Sequence, residues 1–335
     1  MAQKKGKLSK RALISIISAV LALLLAVALI VTNIFIPVKY LSAYFVLKDE
    51  NVAGQMRVTF IDVGNSDCTI IELPDGKIML VDGGNGTHAN TVKALKELNR
   101  RGIDKIDYLI CTSVADETCA GLTEILKYKK AEIVYAPYCT TPYVSEGYRK
   151  FSEELKRQNK DFTVAEYGKG VVNPEYGYSF LFLSPSVHSN PQGEYESLNK
   201  DPTPKNIRNA SAVIWLEYAG VGILLLGNAG KEVQERLVNA YSDDIGLDTV
   251  DITNCSIIRV ADHGSDDGTF APLYDLIKPE TAIISVGENG RNCPALSAVS
   301  DAYAYVKDKL YRTDEDGTVT VTVNKGTYEV LKEKV

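Results

Sequence analysis

The stretch Phe60-Ile61-Asp62-Val63-Gly64-Asn65-Ser66-Asp67 decides how the chain is read. It closes an apolar run, Met56 to Val63, with a polar glycine-bearing turn, and a second β-rich run, Asp67 to Glu72, begins at once. Short runs of this kind bounded by turn residues are strands. A third, Lys77 to Val81, follows Pro74-Asp75-Gly76, whose proline and glycine preset a tight turn. The opening is therefore a meander of three strands, and its last strand runs into Val81-Asp82-Gly83-Gly84.

Beyond the meander the pattern alternates. Ala89 to Arg101 puts Val92, Leu95 and Leu98 near helical spacing with bases at its end, and Ile106 to Cys111 reads as a buried strand. Gly121 to Tyr128 reads as helix, Glu132 to Ala136 as strand, Tyr143 to Asn159 as an amphipathic helix, and Thr163 to Gly168 and Tyr178 to Ser184 as strands. Val187 to Asn206 is rich in Asn, Pro, Gly, Ser and charge and lacks a period, which suggests a surface excursion or a lid over a site. Ala212 to Tyr218, Gly222 to Leu226, Ile257 to Val260 and Thr281 to Val286 are apolar strands, with helices at Lys231 to Tyr241 and Leu273 to Ile277. Thr318 to Val323 and Thr327 to Val330 form a hairpin about Asn324-Lys325-Gly326. Two groups of strands with interspersed helices predict an α/β fold of two mixed sheets with outer helices.

The composition limits what such a fold can do. With 45% apolar and 24% charged residues in 335, the chain has a globular balance, which excludes wholesale disorder and a small disulfide scaffold. Three histidines are too few for a multi-histidine metal centre. Six cysteines without a Cys-x-x-Cys exclude zinc-thiolate and thioredoxin-like readings and leave buried thiols as the default.

The N-terminus is organised for a membrane. Residues 1–11 hold all five bases of the first 38 residues (Lys4, Lys5, Lys7, Lys10 and Arg11), that segment has no acid, and residues 12–38 are an uncharged apolar run. Such a run exceeds a secretory h-region and spans the ~30 Å hydrocarbon layer as a helix. An uncleaved anchor is expected, with Met1 in the cytoplasm and the main domain extracytoplasmic. Residues 39–55 read as a stalk and 56–335 as the domain. The exported part holds 32 bases against 43 acids, so nucleic acid is an unfavourable partner, and a small ligand, a peptide or a protein is expected instead.

Six ordered motifs carry a resemblance. The stretch 60–67, Val81-Asp82-Gly83-Gly84, Leu225-Leu226-Gly227-Asn228-Ala229-Gly230, Asp262-His263-Gly264-Ser265, Ile284-Ser285-Val286-Gly287-Glu288-Asn289 and Tyr311-Arg312-Thr313-Asp314 resemble the metallo-β-lactamase superfamily. They are most similar to the extracytoplasmic domain of ComEC-type competence DNA-uptake proteins. The resemblance covers Met56 to about Val330 and implies a four-layer αββα sandwich.

It also implies a site at strand ends, where the family's histidines and aspartates bind one or two metal ions that lower the pKa of a water. Laid on that motif, Ser113, Ala115 and Thr118 occupy histidine positions and Glu117 an aspartate position. Asn228 stands for the bridging aspartate and Asp262 for the late histidine, with His263 beside it; Cys293 falls near another histidine position. Of the six ligand positions Ser113, Ala115, Glu117, Thr118, Asn228 and Asp262, only Glu117 and Asp262 could bind a cation, so no catalytic zinc or manganese is expected. Carboxylates at Asp116, Glu117, Asp262, Asp266 and Asp267 leave calcium as a further candidate. Ser113, His263 and Asp262 supply the residue types of a hydrolytic triad, but no nucleophile-elbow motif surrounds Ser113. Asp62 and Asp82 are expected to brace turns, and His88 and His188 to be solvated. The resemblance further puts Cys119 and Cys293 on opposite sides of the cavity, where a disulfide could replace the metal as a staple. The expectation is a non-catalytic binding or scaffold module; competing with it are a hydrolase or nuclease with an atypical site and an accessory of DNA uptake.

Overall fold

Side chains on successive strand residues point to opposite faces, and this chain uses both faces of its strands. In the computed structural model, which describes residues 9–35, 38–49, 54–185, 191–243, 245–287 and 293–334, Met79 and Val81 face one core while Leu80 between them faces another. Tyr108 and Ile110 alternate in the same way with Leu109. Strands covered on both sides read as continuous apolar runs, which is why they stand out in the sequence.

In chain order the elements are α1 (Lys10–Phe35), β1 (Met56–Phe60), β2 (Thr69–Glu72), β3 (Ile78–Val81), α2 (His88–Arg100), β4 (Lys105–Ile110), α3 (Asp116–Leu126), β5 (Lys130–Ala136), α4 (Glu146–Arg157), β6 (Thr163–Val164), β7 (Gly170–Asn173) and β8 (Tyr178–Ser184). There follow α5 (Pro191–Lys200), α6 (Pro204–Asn209), β9 (Val213–Tyr218), β10 (Val221–Leu225), α7 (Lys231–Ser242), β11 (Cys255–Arg259), α8 (Ala271–Ile277), β12 (Thr281–Ile284), α9 (Leu296–Val306), β13 (Leu310–Arg312), α10 (Thr313–Asp316), β14 (Val319–Asn324) and β15 (Thr327–Lys332).

One sheet runs β15-β14-β1-β2-β3-β4-β5-β6 and the other β13-β12-β11-β10-β9-β8-β7. Each joins an antiparallel meander to a parallel run, β3 to β6 in the first and β10 to β13 in the second. Between the sheets lies a core built on Met56, Val58, Phe60, Phe180, Phe182, Ile214, Leu216, Ile257 and Val321. Residues of α2, α3 and α4 cover the outer face of the first sheet, and residues of α7, α8 and α9 the outer face of the second. The architecture is the four-layer αββα sandwich.

Three regions differ from expectation. The described part of Val187 to Asn206 is no irregular excursion: it forms α5 and the start of α6, and Tyr195 and Leu198, three residues apart, are buried in the core of the first sheet. His188 lies outside the described residues. The connector after α1 is docked rather than extended: a 3-10 turn, Val38–Ala43, buries Tyr40 and Ala43 against α2, and Asn99 Nδ2 donates to Ala43 O at 2.9 Å. Tyr40 stacks on His88 with centroids 5.3 Å apart, so His88 is not simply solvated. α1 itself contains an apolar stretch, Lys10–Val31, long enough to cross a membrane and unburied by the domain.

Candidate functional site

Parallel strands in the two halves deliver their carboxyl ends to one edge of the sandwich, where open α/β sheets place ligands. β3 delivers Asp82, β4 delivers Thr112 and Ser113, β10 delivers Asn228, and β11 delivers Asp262 and His263. Asp82, Asp262 and His263 have φ of 60°, 47° and 54°, in the left-handed region where non-glycine residues persist only if their surroundings fix them.

The fixing contacts are visible. Thr112 N and Oγ1 donate to the two Asp82 oxygens at 2.8 and 2.7 Å, and Asp82 N donates to Ile110 O at 2.8 Å. Burial first, and then the nearby Asp67 carboxylate, push the Asp82 pKa well above the usual range, against the pull of the Thr112 bonds and Arg259. Asp82 thus braces the end of β4, as Asp62 braces its own turn by accepting from Gly64 N at 3.3 Å. Asp262 N donates to Gly227 O at 2.9 Å and ties the end of β11 to that of β10.

The positions that match the family's ligands are turned to other partners. Asn228 Nδ2 donates to Glu117 Oε1 at 2.9 Å. Thr118 Oγ1 donates to Ala115 O at 2.8 Å and Ser113 O at 3.0 Å, the geometry of an α3 residue folded back on its own N-terminal turn. Ser113 Oγ accepts from Ala115 N at 3.3 Å. Asp262 Oδ2 accepts from Ser265 Oγ at 2.8 Å and has the Arg208 guanidinium at 4.0 Å. These residues do not fit a zinc or manganese ion: Ala115 has no donor atom, the Thr118 hydroxyl is spent on carbonyls, and Asn228 turns an N–H toward the one carboxylate of the motif.

Neither a hydrolytic triad nor a calcium site is assembled. His263 Nδ1 is 2.9 Å from Ser285 O; a carbonyl only accepts, so Nδ1 donates this hydrogen bond. His263 is oriented by a backbone carbonyl and not by Asp262, so the triad link is missing. Of the acids that could serve calcium, Asp116 accepts from Gly147 N, Asp266 from Ser297 Oγ, and Asp267 faces Arg208 at 3.6 Å. Among the described residues no three of His, Cys, Asp and Glu are grouped to hold a metal ion. Cys119 and Cys293 are both free thiols, so the staple expected between them is not formed: Cys119 is fully buried, its thiol on Ala115 O at 3.0 Å and 3.9 Å from Ser145 Oγ beside α4. Cys293 is half-buried near Asp262 and Asp266, and residues 288–292 before it lie outside the described set.

The strongest electrostatic feature leaves only a faint mark in the sequence. Arg259, 3% exposed at the end of β11, pairs with Asp67, 4% exposed, and donates to Gly227 O at 2.5 Å. A charge inside Ile257-Ile258-Arg259-Val260 is its one signal, and sequence reasoning misses it. Around this pair, Asp67 Oδ2, Asn228 Oδ1, Ser66 Oγ and His263 Nε2 are buried atoms without a hydrogen-bond partner. Buried polar atoms seldom remain unpaired, which makes this strand-end cluster the candidate binding site.

The sheet order and strand-end loops define a four-layer αββα sandwich, and its ordered motifs resemble those of the metallo-β-lactamase superfamily. Within that class the chain is similar to ComE operon protein 3 of Bacillus subtilis (strain 168), 25% identical over 284 residues, which cover 80% of this chain and 33% of that protein. The chain thus matches about a third of the length of this curated relative. No family profile matches. Among solved structures, Igni18, a metallo hydrolase from Ignicoccus hospitalis, is 11% identical with a TM-score of 0.46 and covers 81% of this chain and 99% of its own. CmlA, a diiron beta-hydroxylase from Streptomyces venezuelae, is 11% identical with a TM-score of 0.46 and covers 85% and 55%.

Proposed function

We propose that this chain is a membrane-anchored, extracytoplasmic metallo-β-lactamase-fold protein that binds a ligand or partner at its strand-end site without hydrolysing it. The observation that carries this reading is the Asn228 to Glu117 hydrogen bond, in which an amide N–H occupies a place where a hydrolytic centre would need an oxygen facing a cation. Arg259 and Arg208 supply positive charge beside Asp67 and Asp262 from within the chain. The N-terminal apolar helix with its basic flank supports the anchor and its orientation.

The test is metal analysis of the full chain purified in detergent, with phosphodiesterase and lactamase assays under added Zn²⁺ and Mn²⁺. Far less than one metal per chain and no turnover are expected; stoichiometric metal with turnover lost on chelation overturns the reading. Protease added to intact cells should degrade residues beyond 38, and protection there overturns the orientation.

A second reading, an accessory of DNA uptake, is favoured only by the similarity to ComE operon protein 3. The excess of acids over bases beyond residue 38 opposes it. Retention of DNA by the full chain, weakening steeply with salt, would support it.

A further inference from the structure

After the 3-10 turn Val38–Ala43 the chain makes a short loop with apolar side chains turned outward. Both ends of the loop are held by the last turn of α2: Asn99 Nδ2 donates to Ala43 O at 2.9 Å, and Asp49 N donates to Arg100 O at 2.8 Å, with the Arg100 guanidinium on the Asp49 carboxylate at 3.2 Å. Tyr44 packs on the core of the first sheet, whereas Phe45 and Leu47 are 77% and 92% exposed. Among the described residues beyond α1, the only other large apolar side chains exposed to that degree are Tyr143 and Leu296, far apart in the chain. Single exposed apolar residues are ordinary, but two held side by side in water by a pinned backbone mark a surface that something covers. The run Tyr44-Phe45-Val46-Leu47-Lys48 has no acid, although acids outnumber bases beyond residue 38. Phe45 follows the end of α1 at Phe35, and the 3-10 turn takes up most of the chain between them, so the loop stays within roughly 26 Å of the end of the anchor. The next large apolar side chain exposed along the described chain is Ile133. Because β3 and β4 are parallel, α2 returns the chain from their carboxyl ends to their amino ends, which puts its last turn and this loop at the edge opposite the strand-end site.

We propose that Phe45 and Leu47 seat this loop in the lipid interface of the bilayer that holds α1, an inference that rests on the proposed anchor. The two side chains enter the boundary between headgroups and acyl chains, and Lys48 beside them lays its methylene stem along the apolar surface while its ammonium stays in water. The loop carries no carboxylate of its own into that boundary, and Asp49 at its end is already paired with Arg100. The attraction is burial of apolar surface and does not depend on salt. The domain then has two attachments, a helix through the bilayer and a loop upon it, and the strand-end site is turned away from the lipid, toward ligands in the surrounding water.

Tryptophan fluorescence tests this, because Trp215 is the chain's one tryptophan and is fully buried, so its unshifted emission also reports an intact fold. Phe45→Trp, Leu47→Trp and, as a reference beyond the carboxyl end of β5, Tyr143→Trp are made in the full chain. Each is reconstituted in phosphatidylcholine vesicles with and without bromine on the acyl chains near the headgroup, which quenches only in near contact. The emission added at 45 and 47 should lie to the blue and lose most of its intensity to bromine, while that at 143 stays red and unquenched. Emission at 45 and 47 that bromine leaves untouched overturns the proposal, as does equal quenching at 143. If the untouched emission is blue and the chain cross-links as a dimer, the loop belongs to a second copy instead. An alkaline carbonate wash separates the two readings: a released chain refutes the anchor and the seating together, whereas a retained chain with unquenched emission refutes the seating alone.

Discussion

Asn228 Nδ2 and Glu117 Oε1 meet at 2.9 Å, joining the end of β10 in the second sheet to the first turn of α3 over the first sheet. An amide and a carboxylate satisfy one another directly, so this hydrogen bond links the two halves of the sandwich. Asn228→Asp sets two carboxylates against each other. The variant should lose about 1–3 kcal/mol at pH 7, since one acid must be protonated or stay repelled. Denaturant unfolding at pH 7 and pH 5 reads this, with the loss shrinking at the lower pH; equal stability at both pH values would contradict the contact.

Arg259 and Asp67 form the buried ion pair behind that contact. Removing one partner of such a pair leaves a charge uncompensated, typically at about 3–5 kcal/mol. Arg259→Met should fall in that range, and the double variant with Asp67→Asn should regain much of the loss. Additive losses in the double-mutant cycle would mean the two side chains act independently.

A methyl group cannot be added at Gly121. Its Cβ would lie 1.8 Å from Gly83 O, because α3 runs close against the turn after β3 and Gly121 N donates to Gly84 O at 2.9 Å. Gly121→Ala must push backbone from backbone, so a loss of about 1–3 kcal/mol or more is expected, read from the thermal midpoint. A variant as stable as the parent would place α3 elsewhere.

Acid should loosen the connector. Burial pushes the Glu124 carboxyl up, but hydrogen bonds from Lys127 and Lys39 outweigh it and hold the pKa at about 2. A carboxylate depressed in the folded state lends stability that is full above its ordinary pKa of about 4.5 and fades as pH falls toward 2. Glu124 also accepts from Tyr40 Oη at 3.1 Å, so hydrogen-exchange protection across residues 38–43, corrected for the intrinsic exchange rate at each pH, should fall over that window, and Glu124→Gln should remove this pH dependence of the protection. Protection insensitive to pH in the parent would separate Glu124 from the docking.

The layers were legible because strands buried on both faces make unbroken apolar runs such as Ile106 to Cys111 and Ala212 to Tyr218. β7 was not, because its residues are half-buried or exposed at a sheet edge and carry no such run. α9 hid behind small side chains: Ala298, Ala302 and Val306 share a face at intervals of four, a pattern weaker than one of Leu and Ile. The strand-end positions could be named from motif order, and the structure brings Asn228 to Glu117. The partner of each side chain could not, since Arg259 to Asp67 joins residues 192 apart in sequence.

The docked turn at Val38–Ala43 fixes where the chain enters the domain. With Tyr40 stacked on His88 and Lys39 joined to Glu124 at 2.9 Å, that entry lies beside α2 and α3 and not at the strand-end site. Under the proposed anchor, a partner in the same bilayer would meet the side of the sandwich around this entry first.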